Sequence, residues 1–371
     1  MRKEEVRGLI IYALMIVAAI VVGLTVIRNQ GIYMPDHFNG FAFIIIVVIV
    51  AYLLNVIGLE LLHVIGAKIG GYSVVSVDIL GLCLYKKGKN WKLGFRDFDG
   101  ISGETKVAPK KEKANPNTIS WLPFFGFAFE IAACVLTISF TRGSQVQWFI
   151  PACTIVILIS SMLALYNFVP LKLDSMTDGY KIRLFTKEVN VHAYNEMLRI
   201  QEKHRLGEEV EEVPIFDEIT EYTAEINILG LYKFLEDEQF DKAEIIVDKL
   251  IENKKMLHID TYNRMIAQKV YIGVLTKELE DAKKLYDEIC PVEIRRFISN
   301  DVSMPSIRAY VLIAGMIEGS QSEVEFAKTK VEKAKKKALE SEVKTEEKLL
   351  EKALNYVYEK HPKWVKEKAA E

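Results

Sequence analysis

The chain has 371 residues, of which 50% are hydrophobic and 26% charged, and its formal net charge is −2. This near-neutral balance argues against a nucleic-acid-binding protein, because the second half has no basic stripe interleaved with aromatic residues. The uninterrupted apolar runs lie before Leu171, and most acidic residues lie after it. The composition therefore predicts a membrane part followed by a soluble part.

The four cysteines are scattered and form no C-x-x-C pair: Cys83, Cys134, Cys153 and Cys290. Two lie in apolar runs and two in segments that we expect in the cytoplasm. They are predicted to be reduced, apolar packing residues, with neither a disulfide framework nor a zinc knuckle.

Four apolar segments are long enough to cross a bilayer, which takes about 20 residues. The first, 8–27, follows a charged start and is expected to be a retained anchor, because it is too long for the core of a signal peptide. The other three are 41–65, 121–140 and 148–169, and two of them begin with a tryptophan, as is typical of membrane interfaces. Buried helices of a soluble protein are the alternative, but four such helices would all lack a polar face.

The lysines and arginines predict how these segments are oriented. Residues 66–118 contain ten of them, whereas the connections 28–40 and 141–147 contain one each, Arg28 and Arg142. Because basic residues accumulate on the cytoplasmic side, both termini are expected in the cytoplasm. We expect an integral protein of a bacterial plasma membrane.

The second apolar segment contains Glu60 and His63, and ionisable residues inside an apolar helix by default indicate a functional site. A zinc-binding helix needs two imidazoles four residues apart, with a glutamate that deprotonates the metal-bound water. Glu60 and His63 match the base and the second ligand, but Leu59 occupies the first ligand position. A buried Glu60–His63 hydrogen bond without a metal is the alternative.

A small β-structure is predicted in the connection after the second segment. Alternating apolar residues flank the lysine-rich turn 86–89, with Leu80, Leu82 and Leu84 before it and Trp91, Leu93 and Phe95 after it. This pattern is typical of a β-hairpin. A further short strand is expected at 103–107.

Glu130, in the third segment, is a second carboxyl group inside an apolar run. Three interpretations are open. It could be an auxiliary metal ligand, a protonated acid whose pKa is raised by burial, or the partner of a basic group.

The fourth segment ends in a polar sequence that contains Asn167, Pro170, Asp174 and the pair Asp178-Gly179. An isolated Asp-Gly pair usually marks a turn. Here it follows an apolar segment whose end is expected on the same membrane side as His63.

Helical periodicity begins near residue 189 and continues to the C-terminus. Three pairs of helices are predicted: 229–235 with 240–250, 262–275 with 279–289, and 307–317 with 324–339. Ala243, Ala282 and Ala327 occupy equivalent positions, spaced by about 40 to 45 residues. The pairs resemble tetratricopeptide repeats, whose period is about 34 residues. An irregular helical bundle without a peptide groove is the alternative.

The Glu60–His63 segment, with the glycines that follow it, resembles the active-site helix of the site-2 protease family of intramembrane zinc metalloproteases. The sequence from Asn167 and Pro170 to Asp178-Gly179 resembles the second motif of that family. The resemblance implies that Glu60 is the catalytic base, that His63 and Asp178 hold Zn²⁺, and that Asn167 and Pro170 position the substrate. Asp174 is the fallback ligand, and His37 is expected at the opposite membrane face, where it cannot replace the missing histidine.

The predicted fold is an α-helical polytopic membrane protein with a small β-hairpin insertion and an all-α cytoplasmic domain. Residues 1–39 form the anchor and an external loop, 40–188 the protease-like core with its β-structure at about 72–107, and 189–371 the repeat-like domain. Leu59 has three interpretations: a substituted, inactive form of an active enzyme, a natural pseudoprotease, or a rearranged site with another ligand.

Two functions follow. The first is a zinc metallopeptidase that acts on transmembrane or membrane-associated peptides, which would pair with an exposed strand near 80–95 or 103–107. The second is an inactive receptor or scaffold whose C-terminal helices recruit a cytoplasmic protein. A transporter is disfavoured, because four spans without an evident repeat leave little for alternating access.

Overall fold

The computed structural model describes most of the chain from residue 37 onward. The described residues are 6, 9–11, 13–18, 21, 23, 25, 37–87, 90–95, 103–111, 113–141, 148–171, 176–208, 210–336 and 340–364. They form two compact units, Met1–Arg199 and Ile200–Glu371.

In the first unit, three of the described helices are long and apolar enough to cross a membrane. They are α1 (His37–Gly70, apolar from Ala42), α2 (Asn117–Thr141) and α3 (Phe149–Phe168). They correspond to the second, third and fourth predicted segments, as expected of a helical membrane protein. The first predicted segment, 8–27, lies partly outside the described residues, and those of its residues that are described are helical.

The three helices pack against one another, and glycines allow α1 and α2 to approach closely. A Cβ atom on Gly66 would lie 2.4 Å from the carbonyl oxygen of Thr118. The Thr118 hydroxyl in turn donates a hydrogen bond of 2.8 Å to the Gly66 carbonyl oxygen. This contact fixes the C-terminal half of α1, which carries Glu60 and His63, against α2.

The close approach at Gly66 gives a testable prediction. Gly66→Ala should destabilise the protein by about 1–3 kcal/mol, because backbone atoms of α2 must move to admit the methyl group. Gly58→Ala is the matched control on the same helix, since a Cβ atom there meets nothing within 4 Å. Thermal unfolding in detergent should separate the two variants, and equal midpoints would contradict the packing.

A four-stranded antiparallel sheet follows α1. Its strands are β1 (Tyr72–Ile79), β2 (Leu82–Lys87), β3 (Asn90–Phe95) and β4 (Gly103–Pro109), in the spatial order β3-β2-β1-β4. The predicted hairpin, β2 and β3, and the predicted strand β4 are confirmed. Leu80 was wrongly assigned to a strand. It lies with Gly81 in a two-residue turn, where both residues have positive φ, 51° and 83°, as a type I′ hairpin turn requires.

Two further helices follow α3. α4 (Asp178–Leu184) follows α3, and α5 (Glu188–Leu206) crosses the boundary between the units. Two hydrogen bonds hold the first half of α5 to the sheet and to the segment after it. The Tyr72 hydroxyl donates a hydrogen bond of 2.6 Å to the side-chain oxygen of Asn195, and the Asn195 amide donates one of 2.8 Å to the Ala114 carbonyl oxygen. These bonds are buried.

The second unit is helical throughout its described elements. They are α6 (Glu221–Glu236), α7 (Phe240–Glu252), a short 3₁₀ turn (Lys254–Met256), α8 (Ile259–Thr276), α9 (Leu279–Ile289), α10 (Val292–Asn300), α11 (Met304–Leu312), a π-helical turn (Ile313–Ile317), α12 (Gln321–Thr329), α13 (Val331–Lys335) and α14 (Glu340–Lys360). The three predicted helix pairs are present, and Ala243, Ala282 and Ala327 are all buried.

The pairs do not form a regular repeat. α10 is an additional helix between the second and third pairs, which accounts for the wide spacing between Ala282 and Ala327. The last predicted helix is interrupted at Lys330, and its residues 337–339 lie outside the described residues. One core joins all the pairs.

Candidate functional site

Four elements of the first unit bring polar side chains together. Glu60 and His63 lie one turn apart on α1, Asn167 lies in the last turn of α3, Asp178 is the first residue of α4, and Thr105 lies in β4. Glu60 and Asp178 are almost fully buried, with 1% and 3% exposure. Residues that are far apart in the sequence but were predicted to form one site therefore lie next to each other in the structure.

His63 is at the centre of the cluster. Its Nδ1 atom lies 3.4 Å from a carboxylate oxygen of Glu60, and its Nε2 atom lies 2.8 Å from a carboxylate oxygen of Asp178. The imidazole therefore bridges the two carboxylates through different ring nitrogens, and each carboxylate approaches a different edge of the ring.

Glu60 is also bound from the sheet. The Thr105 hydroxyl donates a hydrogen bond of 2.5 Å to the same Glu60 oxygen that faces His63. A Cβ atom on Gly103 would lie 2.9 Å from the Glu60 side chain. The beginning of β4 thus lies directly on Glu60. Thr105 was not predicted as a site residue, although the strand that carries it was.

Asp178 is held by Asn167 and by its own helix. The Asn167 amide donates a hydrogen bond of 2.7 Å to the Asp178 carboxylate. In the other direction, the Asp178 backbone nitrogen lies 3.4 Å from the Asn167 side-chain oxygen. Thr177 caps α4 by accepting a hydrogen bond from the Tyr180 backbone N–H. A carboxylate in the first turn of a helix is also favoured by the helix dipole.

The pKa of the Asp178 carboxyl is lower than usual. Burial alone would raise this pKa, but the nearby His63, the Lys181 ammonium at 3.9 Å and the hydrogen bond from Asn167 lower it by stabilising the ionised form. The contacts around Asp178 therefore favour the ionised form of a carboxyl group that solvent hardly reaches.

Gly179 lets Asp178 enter the cluster at the end of α3. A Cβ atom at position 179 would lie 1.9 Å from the Phe168 carbonyl oxygen, so only glycine lets α4 begin against the end of α3. Asp174 lies outside the described residues. Pro170 is exposed just after α3, and the preceding Val169 is extended, as expected before a proline.

Of the three other predicted positions, His37 and Glu130 lie apart from the cluster. His37 is at the beginning of α1, about 35 Å along the helix from Glu60 by its rise per residue. Glu130 accepts a hydrogen bond of 3.3 Å from Asn55, which is one and a half turns from Glu60. Leu59 is half-buried beside Glu60.

The side chains present do not fit a resident catalytic zinc. Such a site needs three protein ligands around one ion, and in the described part of the chain no three His, Cys, Asp or Glu side chains are grouped to hold one. The reason is geometric. Glu60 and Asp178 contact different nitrogens of His63, and those nitrogens point in diverging directions. Leu59, at the remaining ligand position, offers no donor atom.

Comparisons with models of known protein families, with curated proteins and with solved structures give no match for this chain. The functional argument therefore depends on the residues themselves.

Proposed function

We propose that this chain is a membrane protein that binds a membrane-associated or transmembrane peptide at a site-2-protease-like site and does not cleave it. The observation that carries this proposal is the His63 bridge. Its two ring nitrogens are engaged by Glu60 and Asp178, and Leu59 supplies no further ligand. The layout resembles that of the protease family, while the donor set lacks what a catalytic zinc requires.

The peptide would pair with β4. This strand is at an edge of the four-stranded sheet, and an edge strand offers unpaired backbone groups to an extended segment without requiring a particular sequence. Thr105 in β4 contacts Glu60, so a strand added there would lie beside the buried cluster. Asn167 and Pro170, at the end of α3, would border the same segment.

The second candidate function is a zinc metallopeptidase. It is favoured by the convergence of Glu60, His63, Asp178 and Asn167 in one buried cluster, which is the set that the family resemblance implies. In that case Glu60 would be the base, and His63 and Asp178 would hold Zn²⁺ together with a ligand that the described residues do not supply.

The setting that we propose follows from the charge pattern. Because basic residues accumulate on the cytoplasmic side and 66–118 contains ten of them, the sheet and both termini would lie in the cytoplasm. The membrane would be a bacterial plasma membrane. The C-terminal helical unit would then recruit a cytoplasmic protein, which makes the chain a receptor or scaffold.

The test uses the full chain in lipid nanodiscs, together with a synthetic transmembrane peptide that has a glycine- and asparagine-rich centre. A photo-crosslinking residue is placed at Lys106 on β4 or, as the matched control, at Lys92 on the opposite edge strand, β3. Both are exposed. We expect crosslinking from position 106 only, an intact peptide by mass spectrometry, and far less than one zinc per chain.

The outcomes separate the two candidates. If one zinc is bound per chain and the peptide is cleaved, the receptor function is wrong and the chain is a metallopeptidase. Equal crosslinking from both positions would contradict peptide binding at β4.

A further inference from the structure

The last helix of the C-terminal unit, α14, lies on the other helices as a helical peptide lies in a binding groove. It packs against α6, α11 and the π-helical turn, and we call the surface that it covers the α14 seat. Its buried residues recur at intervals of three or four positions, which is the spacing of a helix that places one face in a groove: Glu346, Leu349, Leu350, Ala353 and Val357. α14 therefore has one recognition face.

The α14 seat is shaped for this face. Gly315, in the π-helical turn, lies directly against Val357, because a Cβ atom on Gly315 would lie 2.5 Å and 2.7 Å from the two methyl carbons of Val357. Leu349, Leu350 and Ala353 join the apolar core of the unit. The seat thus accepts apolar side chains at fixed intervals along a helix.

One charged pair lies within this apolar contact. Arg308 on α11 is completely buried, and its guanidinium binds both carboxylate oxygens of Glu346 on α14. Replacing a buried ion pair by apolar residues often leaves stability unchanged or raises it. The pair gives specificity instead, because a helix without an acidic residue at this position would leave the Arg308 charge buried and unpaired.

α14 does not satisfy Arg308 completely. Nε and Nη2 of Arg308 donate hydrogen bonds to Glu346 and Gln268. Nη1 is buried and has no hydrogen-bond partner among the described residues. A buried donor without an acceptor reduces the free energy gained when α14 occupies its seat.

The contacts at the rim of α14 are exposed ion pairs. Lys348 lies 3.4 Å from Glu236, and Lys352 lies 2.5 Å from Glu238. Pairs of this kind contribute little to stability, because water competes for both charges. The position of α14 therefore depends on its buried face, which another helix with the same pattern would also present.

We propose that the α14 seat is the partner site of the C-terminal unit and that its partner is an amphipathic helix that displaces α14. The partner helix would carry an acidic residue for Arg308, followed by apolar residues three, four, seven and eleven positions later. The core of the unit stays filled in both states, because one helix replaces the other. This inference rests on the proposed recruitment of a cytoplasmic protein and names the chemistry of that partner.

The test uses the full chain in nanodiscs and a fluorescent synthetic peptide with the sequence of residues 340–360, which stands in for the partner helix. In the wild-type protein the tethered α14 competes at a high effective concentration. In Leu350→Ala the tethered helix lacks an anchor that the peptide still has. By fluorescence anisotropy, the dissociation constant of the peptide should be at least about 10 times lower for Leu350→Ala than for the wild type.

Two further variants accompany Leu350→Ala. Val357→Ala removes a smaller anchor and should strengthen peptide binding in the same direction, which keeps the test valid if Leu350→Ala does not fold. Asn355→Ala is the matched control, since Asn355 is an exposed residue of the same helix, and it should bind the peptide as the wild type does. Equal binding to all four proteins would contradict displacement of α14.

The charge requirement is tested with altered peptides. A peptide with Glu346→Gln should bind Leu350→Ala at least about 10 times more weakly than the unaltered peptide, because it leaves Arg308 without a counter-charge. A peptide with Glu359→Gln is the control, since Glu359 is exposed, and its affinity should be unchanged. Equal affinities of these two peptides would overturn the proposed partner chemistry.

Hydrogen exchange shows where the peptide binds. Amides of α11 should exchange faster in Leu350→Ala than in the wild type and regain their protection when the peptide is saturating. Binding without this recovery would place the peptide elsewhere and overturn the proposal. The outcome is independent of the crosslinking at β4, so failure of the peptide to bind the α14 seat and failure of a membrane peptide to bind β4 are separate results.

Discussion

Glu346→Ala is expected to destabilise the C-terminal unit by about 3–5 kcal/mol, because it leaves a buried cation without its counter-charge. Arg308 is completely buried, and its guanidinium lies 2.9 Å and 3.3 Å from the two Glu346 carboxylate oxygens. The same guanidinium donates a hydrogen bond of 3.0 Å to the side-chain oxygen of Gln268 and lies over the Tyr271 ring. Arginine cannot lose its proton to escape this environment.

Replacing the other partner, Arg308, should lower the stability of the unit by less. In Arg308→Met the Glu346 carboxyl can neutralise itself by taking up a proton, which is the usual response of a buried, unpaired acid. The double variant Arg308→Met with Glu346→Leu should lose less stability than the two single variants added together, since no charge remains buried.

Hydrogen exchange of the full chain measures these effects where they arise. Amides of α11 and α14 should exchange about 100 to 1,000 times faster in Glu346→Ala than in the wild-type protein. Asp281→Asn is the control, because Asp281 forms an exposed pair with Lys284 on α9 and such pairs contribute little. Unchanged protection of α11 in Glu346→Ala would show that the pair does not stabilise the unit.

Leu59→His is expected to create zinc binding that the wild-type protein lacks. It would place two imidazoles four residues apart on one face of α1, with Asp178 available as the third ligand. Supplying the third ligand should lower the dissociation constant by about two orders of magnitude or more and give one zinc per chain. Metal analysis and a competitive zinc titration of the protein in detergent measure both quantities.

Leu61→His is the matched control for this gain. Leu61 lies two residues further along α1, where the side chain points to another side of the helix, and it is 55% exposed. If both variants bind the same amount of zinc, the new binding does not arise at the cluster. The resemblance to a zinc site at position 59 would then be wrong.

The elements that the sequence predicted best are those governed by a single strong preference. Apolar runs of 20 residues became α1, α2 and α3, and the alternation around 86–89 became β2 and β3. Glu60 and His63 could be paired because their spacing on one helix is fixed by geometry, whereas Asn167 and Asp178 were assigned to the same site because of the family resemblance. β1 was not predicted as a strand, since serines and an aspartate in 72–79 weaken its apolar pattern.

The contacts that the sequence did not predict join residues far apart in the chain. Thr105 is 45 positions from Glu60, and Arg308 is 38 positions from Glu346. No local pattern distinguishes these residues from the other polar side chains of their strand or helix. Burial and pairing of a charge depend on which elements pack together, and that became visible only in the folded chain.

The π-helical turn Ile313–Ile317 also determines how the C-terminal unit can be divided. A π turn is equivalent to one residue inserted into an α-helix, and one residue rotates all that follows by about 100°. The side chains that follow the extra residue in this helix are therefore out of phase with those of α11, and the Arg308–Glu346 pair joins helices that are not neighbours in sequence. Such a unit should fold and unfold as one block, so shortening it by a helix pair would not leave a smaller stable protein.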